Sequence, residues 1–316
     1  MSDKPVALVV GASRGLGRQI ALSLASNNYA VVVAAKTASA PGTTTEDPDP
    51  NSPASTITTV TNEIRKAGGE ATAIQVDVRF EESIKSLISQ TISTYGRLDV
   101  LIYNSGAIHW APVKNTPLAK FKLMQSINPT GLYTTVHFAL PHMLASPTAQ
   151  EPARQARIVV ISPPIYSRFF RGKTPYAMGK VGMSVLTKGL AMDIQRDNAM
   201  RGRISITSLW PAVAIESAAT QQFTKVNPEE RNDLRKATIF GDAILAILKA
   251  GGDKVNGALL LDEDFLRAQG VTDFDQYSLV PGTAPRRIMP QQLPDLTVAE
   301  QDDEGKRYDS SAKSKL

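Results

Sequence analysis

The chain has 316 residues, 42% of them hydrophobic and 21% charged, as in globular proteins with a sizeable core. It contains no Cys, which excludes disulfides, thiolate catalysis and Cys-ligated metal, and its three His (His109, His137, His142) lack metal-binding spacing, so no metal site is expected. The formal charge of +5 is spread without a basic run, which argues against nucleic acid; no apolar run approaches ~18 residues and no signal-peptide core opens the chain, so no membrane span is expected.

Val6–Val10 is a short apolar, β-branched run that reads as a strand buried on both faces. The loop Gly11-Ala12-Ser13-Arg14-Gly15-Leu16-Gly17 follows at once, and a helical pattern then takes over. Strand, glycine loop and helix together predict a phosphate cradle, with helix N–H groups and a positive dipole end facing a pyrophosphate. The expected contacts are Gly11, Ser13, Arg14, Gly15, Leu16 and Gly17. Tyr29 to Ala35 reads as the second strand. It ends in Lys36 where an NAD site usually carries an acid, so Lys36 and Arg14 predict a 2′-phosphate and hence NADP. Residues 37–55 read as a long loop at the cofactor edge.

Further along, the pattern alternates: helix Ser55–Ala67, strand 71–76, helix 81–95, strand Leu98–Tyr103 and a helical stretch over 117–144 kinked at Asn128-Pro129. Strand Arg157–Ile161 precedes Ser162-Pro163-Pro164; strand Ile204–Leu209, a helix over 240–250 and strand Ala258–Leu261 complete the series. Alternation of this kind predicts one doubly wound parallel sheet, Rossmann-like, in three α/β/α layers and a single domain. Residues 1–280 are assigned to that domain. Residues 281–316, rich in Pro, Gln, Asp and Lys, are expected to be a flexible tail. Ser314-Lys315-Leu316 reads as a peroxisomal import address, so the expected location is the peroxisome and an expected partner its import receptor.

Thr174-Pro175-Tyr176-Ala177-Met178-Gly179-Lys180 carries the candidate chemistry. Thr174 reads as an N-cap and Pro175 as the first helical residue, placing Tyr176 and Lys180 one turn apart on one face. A phenol titrates near pH ~10; a nearby ammonium and the helix dipole are expected to favour the phenolate, bringing Tyr176 towards use as an acid or base.

These residues resemble the short-chain dehydrogenase/reductase family over roughly residues 4–280. Gly11, Gly15 and Gly17 match its glycine motif, and Asp77 matches the residue that bonds adenine. Asn104 and Gly106 match its Asn-Asn-Ala-Gly motif, with Tyr103 and Ser105 departing from it. Asn128 matches its active-site Asn, and Tyr176 with Lys180 its Tyr-x-x-x-Lys. Ile161-Ser162-Pro163-Pro164, Leu209-Trp210-Pro211 and residues 262–282 further resemble the hydroxysteroid dehydrogenase-like branch, linked to peroxisomes and lipid metabolism; some of its members carry a sterol-carrier domain after the reductase, and none is expected here. The resemblance implies an NADP(H)-dependent oxidoreductase interconverting a carbonyl and an alcohol. In it Tyr176 exchanges the proton, Lys180 lowers the Tyr pKa and bonds the nicotinamide ribose, and Asn128 holds a water beside Lys180. Pro163 stands at the family's usual Ser position, which leaves Ser162 as the candidate carbonyl donor. Trp110, Tyr166, Phe169, Phe170, Trp210 and Phe223 are the candidate walls of a pocket for a lipophilic fatty acyl, isoprenoid, steroid or polyketide substrate. Gly179 and Gly182 allow close helix approach, and the resemblance implies a homodimer or homotetramer. Alternative readings are an enoyl- or dienoyl-CoA reductase and a non-catalytic NADP-binding sensor or scaffold.

Overall fold

The computed structural model describes residues 3–40, 49–52, 54–146 and 155–297. Its strands are β1 (Val6–Val10), β2 (Ala30–Ala35), β3 (Glu70–Gln75), β4 (Val100–Tyr103), β5 (Ala156–Ile161), β6 (Ile204–Trp210) and β7 (Leu259–Leu261). All pair in parallel, as one sheet in the order β3-β2-β1-β4-β5-β6-β7. The helices are α1 (Gly15–Ser26), α2 (Ile57–Lys66), α3 (Glu81–Tyr95), α4 (Leu118–Gln125), α5 (Gly131–Ala145), α6 (Thr174–Arg196), α7 (Gln221–Thr224), α8 (Thr238–Lys249), α9 (Gly252–Val255) and α10 (Asp262–Ala268).

Both faces of the sheet are covered, which is why its central strands read as unbroken apolar runs. Val6, Leu8 and Val10 point to a core shared with α3, α5 and α6. Ala7 and Val9 point to the opposite core, shared with α1, α2 and α8. The result is the expected single three-layer α/β/α domain. The order of strands reverses direction between β1 and β4, and the crevice at that switch point is where ligands bind in open α/β sheets.

Three local expectations change. Helix α6 begins at Thr174, with Lys173 in the cap position, and the Thr174 hydroxyl donates to the Phe170 carbonyl instead of capping. The expected kink at Asn128-Pro129 is a π-helical turn, Ser126–Thr130, that joins α4 to α5. The expected flexible tail is pinned over residues 286–290. Ile288 N–H and Met289 N–H donate to the Ala212 carbonyl, Arg287 forms a two-pronged pair with Asp264 at 2.6 Å, and Met289 is buried. Ser314-Lys315-Leu316 lies outside the described residues.

Candidate active site

The glycine loop leaves β1 at Gly11, whose φ of +90° only Gly adopts freely. A Cβ there would stand 2.7 Å from the Ser105 nitrogen, so β1 and β4 approach here by virtue of that missing carbon. Asn104 ties the same two loops through its Nδ2 donating to the Gly11 carbonyl at 2.9 Å. Helix α1 carries no side-chain cap; Arg14 occupies its cap position in extended backbone. The Gly15 N–H donates to the Pro50 carbonyl at 2.9 Å, and the Ser55 hydroxyl to the Ser13 carbonyl at 2.7 Å. Residues 49–52, in the stretch expected to form a loop at the cofactor edge, therefore lie across the glycine loop. Buried Asn51 there carries an Oδ1 without a hydrogen-bond partner, facing Gly15. An uncapped helix start, a glycine turn and an orphaned acceptor fit the phosphates and ribose hydroxyls of a dinucleotide.

At the far edge, Asp77 follows β3. Arg79 clamps its carboxylate at 2.8 and 2.5 Å, and Lys36 Nζ lies 3.5 Å away. The Arg79 hydrogen bond holds the Asp77 carboxyl down at about 2. Lys36 is exposed, so the end of β2 presents a cation beside that carboxylate.

Tyr176 and Lys180 face inward from the first two turns of α6, both buried. Lys180 Nζ donates to the Ile161 carbonyl at 2.8 Å and sits 5.4 Å over the Trp210 ring. Burial pulls its pKa from 10.5 down to about 7. Burial also pushes the Tyr176 phenol above its usual range, opposed by the neighbouring Trp110 side chain. The expected bias towards phenolate is thus reversed in this arrangement: desolvation outweighs the helix dipole and the lysine, whose ammonium is turned to Ile161. Tyr176 is held as an acid.

Asn128 is fully buried in the π-helical turn. Its Oδ1 accepts from Ala107 N–H at 2.8 Å and its Nδ2 donates to the Ala107 carbonyl at 3.1 Å, so it fixes the loop after β4. Gly106 brings it to Lys180: a Cβ on Gly106 would stand 3.3 Å from Lys180 Nζ and 3.4 Å from Asn128 Oδ1. Gly179 makes room for Asn128, and Gly182 for Pro129, within the same chain, so the close helix approach expected of them is met by the π-helical turn.

Ser162 is not with this group. Its hydroxyl is fully buried in a chain of hydroxyls, bonded to Ser208 at 2.8 Å and to Ser184 at 2.9 Å, with Thr187 bonded to Ser208 at 2.7 Å. It links β5, β6 and α6, and it is not among the residues that line the cavity above Tyr176. Pro163, the neighbouring residue, has no side-chain donor.

Above Tyr176 lies a cavity of about 330 Å³ walled by Trp110, Trp210, Phe223, Leu16, Ile215 and Ile288. Three of the six expected aromatic walls line it; Tyr166, Phe169 and Phe170 pack behind Tyr176 as core. Its rim carries Glu230, Asp233 and Arg286. Asp262, buried at the start of α10, accepts from Ala212 N–H at 2.8 Å and holds the loop after β6 that forms one wall. A larger polar cavity of about 590 Å³, around Asp99 and Arg157, lies at the opposite ends of the strands, away from these groups.

A glycine loop stands at the switch point of a parallel sheet, beside a Tyr and a Lys one helical turn apart under an apolar cavity, the arrangement of a dinucleotide-binding α/β fold. The chain belongs to the short chain dehydrogenase family, whose profile matches residues 5–227. Hydroxysteroid dehydrogenase-like protein 2 of Danio rerio is 37% identical over 276 residues, 87% of this chain and 60% of that protein; the same-named protein of Bos taurus is 34% identical over the same shares. The chain therefore spans about three-fifths of the length of these curated relatives. A solved short chain dehydrogenase from Mycobacterium thermoresistibile is 30% identical, with a TM-score of 0.76 over 90% of this chain and 93% of that one.

Proposed function

We propose that the chain is an NADP(H)-dependent oxidoreductase that interconverts a carbonyl and an alcohol on a lipophilic substrate. The observation that carries the proposal is the convergence of Tyr176, Lys180 and Asn128 beneath the apolar cavity, beside the glycine loop. Bound along the crevice, the dinucleotide supplies the hydride. The chain's own part is to present the Tyr176 hydroxyl to the carbonyl oxygen and deliver its proton. Burial, which keeps the phenol protonated, suits the reductive direction. Lys180 faces the crevice from the next turn and, in this reading, bonds the nicotinamide ribose. Glycines 11, 15 and 17 with Ser13 and Leu16 cradle the pyrophosphate, and Lys36 with Arg14 receives the 2′-phosphate. The apolar walls favour a lipid ketone, aldehyde or acyl thioester over a sugar.

Incubation with NADPH and a panel of lipid ketones, aldehydes and acyl-CoAs tests the activity. Tyr176→Phe is expected to abolish turnover while NADPH affinity stays within about two-fold, since only the proton donor is removed; turnover surviving in that variant would falsify the mechanism. Lys36→Asp is expected to shift preference towards NADH by adding repulsion as well as removing a partner. Binding of NADH tighter than NADPH by the unaltered protein would refute the cofactor assignment. For location, we propose peroxisomal import through Ser314-Lys315-Leu316: an N-terminal fluorescent fusion should be punctate and become diffuse when Leu316 is deleted.

A further inference from the structure

Resting on that reading, we propose that Trp110 is a catalytic residue, its indole N–H donating to the Tyr176 oxygen and stabilising the phenolate left when Tyr176 gives up its proton, at a site where Pro163 and the buried Ser162 offer no donor. Three observations lead to it. First, the segment after β5 presents no free hydroxyl: Pro163 has none, and the Ser162 hydroxyl is fully buried against Ser208 and Ser184. Second, Trp110 enters the same cavity wall as Tyr176, with the two rings edge to face at 90° and centroids 6.3 Å apart. Third, the indole is held there by stacking on Phe223 at 5.7 Å and 15°. Trp110 remains 44% exposed, so the ring is positioned by one flat neighbour and not by a core.

Indole N–H is a donor only and does not ionise in the working range. Set beside Tyr176, the Trp110 side chain opposes the upward push that burial gives the phenol. In reduction, the dinucleotide when bound would supply the hydride for the new C–H bond, and the carbonyl π pair would move to oxygen. That oxygen takes the Tyr176 proton, and the phenolate left behind accepts the Trp110 N–H. No proton leaves the indole. The bond is worth most when the acceptor is charged, so it lowers the barrier more than it tightens substrate binding.

The test uses benzil with NADPH and compares the unaltered protein with Trp110→Phe, which keeps the stacked ring and removes only the N–H. We expect kcat to fall about 10- to 100-fold with KM within about three-fold, the range for one donor to a developing charge. In the alcohol-oxidising direction, the limb of the pH profile that reports Tyr176 should move to higher pH. A second readout is independent of turnover: the chain has two Trp, hence two indole N–H resonances, and Tyr176→Phe should move that of Trp110 upfield and speed its exchange with solvent. Unchanged kcat and pH profile in Trp110→Phe, or an indole signal indifferent to Tyr176→Phe, would overturn the proposal. So would a loss of turnover in Ser162→Ala that Trp110→Phe does not share. An unaltered protein that transfers no hydride to any carbonyl would overturn the oxidoreductase reading itself, and this inference with it.

Discussion

Lys180 is asked to be both charged and dry. The residue is 4% exposed and its ammonium donates to the Ile161 carbonyl, while burial draws its pKa down to about 7. Between about pH 7 and the unfolded value near 10.5 the unfolded chain binds the extra proton, and stability contributed by this site therefore rises with pH across that window and is lowest below it. Lys180→Met should accordingly raise Tm most at pH 6, by about 2–4 °C per kcal/mol of relieved burial cost, with the gain shrinking towards pH 10 as both side chains become neutral. Calorimetry at several pH values checks this; a gain independent of pH would mean that packing, not charge, is responsible. The position of Lys180 beside Tyr176 was legible in the sequence because helical spacing is local and regular. The fate of Ser162 was not. Side chains alternate along a strand, so a hydroxyl one position early faces the other side. Ser162 shares the side of Ile158 and Val160, the core where α6 packs, and meets Ser184 there.

At the scale of elements, β4 and the π-helical turn are built as one piece. Tyr103, where the family pattern has Asn, is buried and donates through its hydroxyl to the Ile127 carbonyl at 2.6 Å, next to Asn128. Gly131 admits that ring: a Cβ there would stand 2.5 Å from the Tyr103 hydroxyl. The departure at residue 103 thus braces the turn that carries Asn128, a link that spans 24 residues and leaves no local trace in sequence. By contrast the β1–α1 unit was fully legible, because its glycines are read from their immediate neighbours. Gly17 shows how little slack it has: a Cβ would collide with the Gly11 carbonyl oxygen and lie 2.6 Å from Asn104 Nδ2. Backbone cannot swing aside as a side chain can, so α1 would have to lift from β1. Gly17→Ala is expected to cost about 3 kcal/mol, despite the better helix propensity of Ala, and to abolish dinucleotide binding. Denaturant titration with a nucleotide-binding assay decides it; a stabilised variant would show that α1 can shift freely.

Across the whole molecule, the cavity is assembled from parts far apart in the chain: Leu16 in the glycine loop, Trp110 after β4, Trp210 at the end of β6, Phe223 on α7 and Ile288 near the end of the described residues. The sheet gathers the first three because its strands all end on one side. The last is brought there by contacts that composition concealed, since a segment rich in Pro and Gln reads as flexible from sequence. Residues 286–290 are held by the Arg287–Asp264 pair, by the Arg286 N–H donating to Asp233 and by two N–H bonds to the Ala212 carbonyl. Buried Met289 packs with Ala212 and Leu261, and Tyr166 and Trp210 adjoin them. Because Ala212 belongs to the same loop that Asp262 fixes, the segment closes the substrate side of the site and leaves the glycine loop untouched. Removing residues 286 onward should therefore raise KM for a lipophilic ketone about 10-fold or more, the loss of one apolar wall being worth about 1.4 kcal/mol or more of binding. The affinity for NADPH should change by less than about two-fold, as the segment's hydrogen bonds go to Ala212, Asp233 and Asp264 and none to the glycine loop. Removing residues 298 onward should alter neither constant, since every side chain named in the cavity precedes that point. Steady-state kinetics on the two truncations, with NADPH binding followed by fluorescence, separates the cases: equal KM values in both would show that the pinned segment is no part of the substrate wall.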